Sequence, residues 1–338
     1  MNFDFTDDQQ AIKRTAHDLL AQRFKPDVVR ELAEVGRYED SHWTELAELG
    51  WPGIFVAEEH GSQGLATVEL AILMEELGYS LAPVPFLSNA AAGLVLQHAG
   101  TDDQRSRWLP GIASGEARGT VGIARDGEAA LVPDADSADV IVLLEDGAGA
   151  VHEASACELE PVEAIDTTRR YSRVCATGAG DALGSDPAAA RDRISIAVAA
   201  ELVGVSQRVM EMAVEYARDR KQFDRPIGAY QAVSHRCADM LRDVESARST
   251  MLWAAWAAEA EPETLPLAAS IAKALASDAG WNVTSSALQV HGGIGFTWEH
   301  DLHFFFKRAK VDGTLYGSAR AHRDRVADLS GLLAAAPA

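Results

Sequence analysis

The residues best suited to chemistry lie in two short segments of the C-terminal half. The first is Arg220-Lys221-Gln222-Phe223-Asp224-Arg225-Pro226-Ile227-Gly228-Ala229-Tyr230-Gln231. The second is Gln289-Val290-His291-Gly292-Gly293-Ile294-Gly295-Phe296. A guanidinium pairs with phosphate in bidentate fashion, and Gln222 or Gln231 could add amide donors. A Gly-Gly pair at a helix end lets bare backbone approach a ligand closely. Together they suit a flat, anionic cofactor carrying a diphosphate. Each also has an ordinary reading: a charged interhelical turn with Phe223 as a core plug, and a helix C-terminus with Gly292 or Gly293 in the left-handed conformation. The second segment is no dinucleotide fingerprint, since no strand precedes it and no helix N-terminus follows at the required spacing. A third segment, Lys310-Val311-Asp312-Gly313-Thr314-Leu315-Tyr316-Gly317-Ser318, holds a tyrosine that alone reads as a half-buried packing residue.

Helices must position all three. Val198, Leu202, Val205, Val209, Met212 and Tyr216 step by fours and threes, as do Val233, Cys237, Met240, Val244, Ala247 and Met251. Leu267, Ile271, Ala274 and the run to Leu288 give a third long helix, and Glu299 to Lys310 a shorter one. These predict an up-down four-helix bundle over 183–338, with a tail from Leu332 to Ala338 that frays. Residues 1–116 read as a helical domain. Thr6 caps a first helix, a second follows His42, others run from Thr67 through Leu77 and from Asn89 to His98, and one from Asp102 ends at Leu109 before Pro110. Between them, 117–182 predicts a short antiparallel β domain of few strands. Val140 to Leu144 is its clearest strand, with Leu131-Val132 and Val174 to Ala176 as weaker ones, and Asp181 to Pro187 forms a linker. The fold class is therefore mainly α with a small β domain.

With 338 residues and 47% hydrophobic content, the chain is globular and too long for one core. A net charge of −21 argues against nucleic acid and against anionic membrane surfaces. It does not oppose a small anionic ligand, which needs only local donors. Cys157, Cys175 and Cys237 show neither disulfide nor metal spacing. The one Glu-x-x-His spacing, Glu39 to His42, has no partner, so no metal is expected. The N-terminus carries no basic, apolar leader and no stretch reaches membrane-spanning length, which predicts a cytoplasmic location.

The order and spacing of these segments resemble the acyl-CoA dehydrogenase family. Its C-terminal bundle carries Arg-x-x-Phe-x-x-x-Ile-x-x-x-Gln, then Gln-x-x-Gly-Gly-x-Gly, then a Tyr-Glu-Gly-Thr-like segment. The first two are present here with matching spacing. The resemblance implies FAD between subunits, faced by Arg220, Gln222, Phe223, Ile227, Tyr230 and Gln231 and, from the second loop, by Gln289, Gly292 and Gly293. It implies an acyl-CoA substrate that loses an α-proton to a base while a β-hydride passes to the flavin, and an electron-transfer flavoprotein or similar acceptor.

The sequence departs from that pattern at two places. Tyr316 stands at the position of the usual catalytic glutamate, and a phenol of pKa about 10 is roughly one part in a thousand ionised at pH 7. The alternative position on the first bundle helix falls near Ile194, with Asp192, read as part of a solvated helix start, and Glu201 as the nearest carboxylates. The middle segment also lacks a hydroxyl-rich loop for the isoalloxazine ring. Both departures are similar to the degenerate subunit of heteromeric actinobacterial acyl-CoA dehydrogenases acting on steroid or other bulky acyl-CoA side chains. The resemblance then implies a second dehydrogenase-like subunit that supplies the base. Two other readings stay open: a self-sufficient homotetramer using Asp192 or Glu201, and a non-catalytic helical assembly subunit.

Overall fold

A computed structural model describes residues 4–332. Six helices come first: α1 (Asp7–Arg23), α2 (Pro26–Val35), α3 (Asp40–Glu48), α4 (Thr67–Tyr79), α5 (Phe86–Ala99) and α6 (Asp102–Ser114). Seven short strands follow: β1 (Gly119–Ile123), β2 (Glu128–Pro133), β3 (Val140–Glu145), β4 (Ala148–Glu153), β5 (Cys157–Pro161), β6 (Tyr171–Ala176) and β7 (Asp181–Ala182). The remainder is α7 (Ala188–Asp219), a hairpin of β8 (Lys221–Gln222) and β9 (Arg225–Pro226), α8 (Gln231–Ala260), α9 (Leu265–His291), α10 (Leu302–Asp312) and α11 (Ala319–Leu329). The protein is thus mainly helical with a small β region, as its sequence pattern predicts. The part of the expected frayed tail from 333 onward lies outside the described residues.

Local chemistry explains most boundaries. Thr6 and Thr101 each cap a helix by accepting from the backbone N–H of the third residue on, Gln9 and Gln104, whose side chains reach back to the cap. Other boundaries differ from the sequence reading. Helix α6 runs through Pro110 to Ser114, because Leu109, Ile112 and Ala113 on either side of the proline are buried and packing outweighs the lost backbone bond. Helix α2, with Pro26 at its first turn, is a helix that the sequence reading does not place. The β region holds seven strands, and β1 pairs parallel with β3. The chain crosses to the second sheet through β2 between them, so β1 and β3 return side by side in the same direction. Asp181 and Ala182, read as linker, pair with β4.

The described residues form two compact units. One comprises residues up to Arg30, Ala71–Ala82 and everything from Ser195; the other comprises Glu31–Leu70 and Pro83–Ile194. In the second unit the sheets run β1-β3-β4-β7 and β2-β6-β5. Helix α5 lies so close on β1 that a Cβ at Gly119 would stand 2.4 Å from that of Ala92. Ala129, Val132, Ile141, Leu143 and Val174 fill the core beneath. The buried Asp134 carboxylate accepts from Ser88 Oγ at 2.7 Å and from the Tyr38 hydroxyl. Burial still pushes its pKa above the usual carboxylate range.

In the first unit α9 is the central strut, packing against α8, α10 and α11. Its buried face is largely alanine, with Gly280 among them, so neighbours approach closely. The apolar steps on α7 (Val198, Leu202, Val205, Val209) and on α8 (Met240, Val244, Ala247, Met251) are buried, as their spacing predicts. Helices α4 and α7 meet backbone to backbone. A Cβ at Gly204 would fall 1.9 Å from the Glu75 carbonyl oxygen, and one at Gly78 2.2 Å from that of Glu201. No helix among the described residues is long and apolar enough to cross a membrane.

Candidate functional site

Helix α7 ends at Asp219, and the chain turns through the β8–β9 hairpin before α8 begins at Gln231. Phe223 and Asp224, the two turn residues, both have positive φ, of 52° and 62°. A two-residue hairpin of this hand needs that conformation, which costs side chains other than glycine, asparagine or aspartate. The turn is closed by the Ile227 N–H donating to the Arg220 carbonyl at 2.8 Å and by the Tyr230 hydroxyl donating to the Gln222 carbonyl at 3.2 Å. Arg225 stacks over the Tyr230 ring at 4.0 Å, and Phe223 meets that ring edge-on. Phe223 is 88% exposed, so it is no core plug. The ring is held outward by backbone geometry and buries nothing in its own chain.

Arg220, Gln222 and Gln231 are exposed, Ile227 and Tyr230 half-buried. No carboxylate pairs with Arg220 among the described residues. On the second segment, Gln289 is exposed in the last turn of α9, and Gly292 and Gly293 open the 3₁₀ turn that follows. Gly292 takes φ 64° and ψ −137°, a region open essentially to glycine alone. Gly293 has no such need, and nothing in the chain lies within 4 Å of where its Cβ would be. Neither the fold nor the backbone requires a glycine at 293.

One contact joins the two segments. The Tyr216 ring, one turn before Arg220, stacks on His291, immediately before Gly292, at 4.5 Å between centroids. His291 Nδ1 meets the Ala287 carbonyl at 2.8 Å, and the His300 ring packs edge-on against it. Burial lowers the His291 pKa against the opposing pull of that backbone bond, which favours the neutral ring in the stack. Tyr216 entered the sequence pattern only as the last apolar step of α7. The nearest signal of a second role was its position one turn before Arg220.

Tyr316 is elsewhere. It follows α10 in a segment where Tyr316 itself has φ 56° and Gly317 φ 119°. The Lys273 ammonium, wholly buried on α9, donates to the carbonyls of Asp312 (2.9 Å) and Gly317 (3.1 Å) and to Ser277 Oγ (3.2 Å). It therefore ties both ends of the Tyr316 segment to one point. Burial outweighs the attraction of nearby Asp312 and lowers its pKa to about 8. Lys273 and His291 are eighteen residues apart on α9, roughly 27 Å at about 1.5 Å per residue. The Tyr316 segment and the Arg220–Gly293 cluster thus sit at well-separated levels of one helix. A lysine within an alanine-rich apolar stretch was the only sequence signal of this clamp.

The alternative carboxylates differ from their sequence reading. Asp192, read as part of a solvated helix start, is 1% exposed, like the neighbouring Ile194. Glu201 is buried and bound at 2.6 Å by the equally buried Arg308. Breaking such a pair strands a charge at a cost of about 3–5 kcal/mol. In the other unit, a cleft of about 690 Å³ is lined by Arg125, Asp126, Glu128, Glu145, Asp146 and Arg191 among apolar residues, and no hydroxyl side chain contributes. Among the described residues no group of three His, Cys, Asp or Glu side chains could hold a metal ion. The three cysteines are free and half-buried.

Known proteins agree with this architecture from end to end. The acyl-CoA dehydrogenase N-terminal domain model matches residues 6–116, and the acyl-CoA dehydrogenase C-terminal domain model matches residues 189–330. The acyl-CoA dehydrogenase IpdE2 of Mycobacterium tuberculosis is 34% identical over 316 residues, covering 93% of this chain and 94% of that protein. The crystal structure of the ChsE4–ChsE5 complex from Mycobacterium tuberculosis superposes with a TM-score of 0.90 at 25% identity over the whole of both chains. A steroid ACAD variant, Tcur3481–Tcur3483, superposes at 0.88 with 26% identity, over 98% of this chain and 99% of that one. Two domain models flanking the β region, and a relative alike over nearly its full length, leave one assignment: the chain belongs to the acyl-CoA dehydrogenase family.

Proposed function

We propose that this chain is one subunit of a heteromeric, FAD-dependent acyl-CoA dehydrogenase, and that its partner supplies the catalytic base. The observation that carries this reading is residue 316. A tyrosine stands at the expected position of the base, and the carboxylate Glu201 is committed to Arg308. Taking a substrate proton there would neutralise one half of a buried ion pair, at a cost of about 3–5 kcal/mol.

The Arg220–Gly293 cluster fits an anionic cofactor. Arg220 has no carboxylate partner among the described residues, and the open backbone at Gly293 is explained by a ligand from outside the chain. When bound, FAD supplies the hydride acceptor. Arg220, Gln222, Gln231 and Gln289 would donate to its diphosphate end, with Phe223, Ile227 and Tyr230 flanking them and Gly292 and Gly293 giving access. The separation from Tyr316 supports a cluster that serves a flavin other than one bound beside this chain's own residue 316. Phe223, Ile294, Phe296 and Trp298 are exposed around the same helix ends and suit coverage by a second subunit. The likeness to the ChsE4–ChsE5 complex and to a steroid ACAD supports a second dehydrogenase-like subunit and a bulky, steroid-type acyl-CoA substrate. An electron-transfer flavoprotein or similar carrier would take the electrons onward.

The test is the flavin content of the complex purified with its partner. Arg220→Ala should lower flavin retention about 10–100-fold, the size of a lost charge-assisted contact, and Gly293→Ala, whose added methyl would crowd the cofactor, should lower it as well, both leaving the fold intact. Unchanged flavin in both variants refutes the role of the cluster.

A further inference from the structure

A second cleft lies entirely within the unit that carries α9, and the chemistry above does not use it. Its volume is about 240 Å³. That falls below the range of roughly 300–1,000 Å³ usual for drug-sized ligands, so it suits a small molecule. Ala21, Phe24, Val29, Leu81, Met212 and Phe305 make its lining mostly apolar. Lys25, Tyr79, Arg208 and Asp301 are set into this lining.

The charges are unevenly compensated. Asp301 is held by Arg30 at 2.5 Å, and His17, also on the wall, meets Glu76 at 2.9 Å. Arg208 is half-buried, with its guanidinium 5.6 Å from the centre of the Tyr79 ring. Among the described residues no carboxylate pairs with Arg208 or with Lys25. Tyr79 gives its hydroxyl hydrogen to Glu211 at 2.5 Å, which fixes the ring beneath the guanidinium. Burial, then the bond to Glu211, raises the phenol's pKa, so it remains a neutral platform. A half-buried guanidinium has lost water that an anion would replace, and the ring presents it to the cavity. Arg208 lies eleven residues before Asp219, where α7 ends next to Arg220, roughly 16 Å away along the helix, so this cleft is separate from the helix-end cluster.

We propose that this cleft binds a small amphiphilic anion, with its carboxylate or phosphate head on Arg208 and its short alkyl tail between Phe24, Met212 and Phe305. The site is independent of the flavin cluster and of any partner subunit. Titration calorimetry on the purified full chain with sodium octanoate, octyl phosphate and octan-1-ol tests it. At least one of the anions should bind about tenfold or more tightly than the alcohol, and the two anions together identify the head group. Arg208→Gln should abolish that preference, and Lys25→Gln should weaken it less. Ala21→Trp, on the exposed face of α1, should fill the cleft and block binding even if the Arg208 variant folds poorly. Equal binding of alcohol and anions, or anion binding that survives both Arg208→Gln and Ala21→Trp, overturns the proposal.

Discussion

At the scale of single residues, burial decides what each charged group can do. Glu201 and Arg308 are spaced like any helix residues in the sequence, yet in the fold they form a buried ion pair at 2.6 Å, and neither could be buried charged at little cost without such pairing. Lys273 is the sharper case, because its position among alanines puts an ammonium where water cannot reach. Its pKa falls from 10.5 to about 8. Below about pH 8 the amine is charged in both folded and unfolded chains, so stability does not respond to its titration. Between about 8 and 10.5 the unfolded chain holds more protons, so this group makes stability rise with pH, by roughly 3 kcal/mol in all. Denaturant unfolding of wild type and Lys273→Met across that window should show the rise only in wild type. Parallel pH profiles for the two proteins would mean the lysine is not desolvated as described.

At the scale of elements, much of the chain is legible without its fold. The capping residues Thr6 and Thr101, the apolar steps of α7, α8 and α9, and the glycine-rich end of α9 all follow from contacts within a few residues. The errors also have local causes. A proline inside α6 is overridden by buried neighbours, and a parallel strand pair needs a crossover that no local pattern encodes. The α4–α7 crossing is a purely tertiary feature, since Gly78 and Gly204 are unremarkable helix residues until their backbones touch. Gly204→Ala should therefore destabilise by about 1–3 kcal/mol or more, because its Cβ would lie 1.9 Å from the Glu75 carbonyl and backbone must shift. Thermal unfolding compared with Gly293→Ala, where the added Cβ meets nothing, isolates the crowding from helix propensity. Equal melting temperatures would mean that the α4–α7 crossing accommodates a Cβ without cost.

At the scale of the whole molecule, an exposed cation cluster with exposed aromatic residues sits on a chain of net charge −21. Such a surface is suited to completion by another subunit and its cofactor. The chain purified alone should hold little FAD and dehydrogenate no acyl-CoA, while co-expression with its partner should bring flavin absorbance and activity together. Full activity of the lone chain would return the base to this subunit. Residue types and near-neighbour spacing alone account for the helices, their caps and the composition of the Arg220 and Gln289 segments. It took the packed fold to show that Tyr216 and His291 join these segments, that Phe223 faces outward, and that Lys273 holds the Tyr316 segment far along α9. Those relations link residues dozens of positions apart, and they arise from which helix faces bury against which, a choice that no local pattern records.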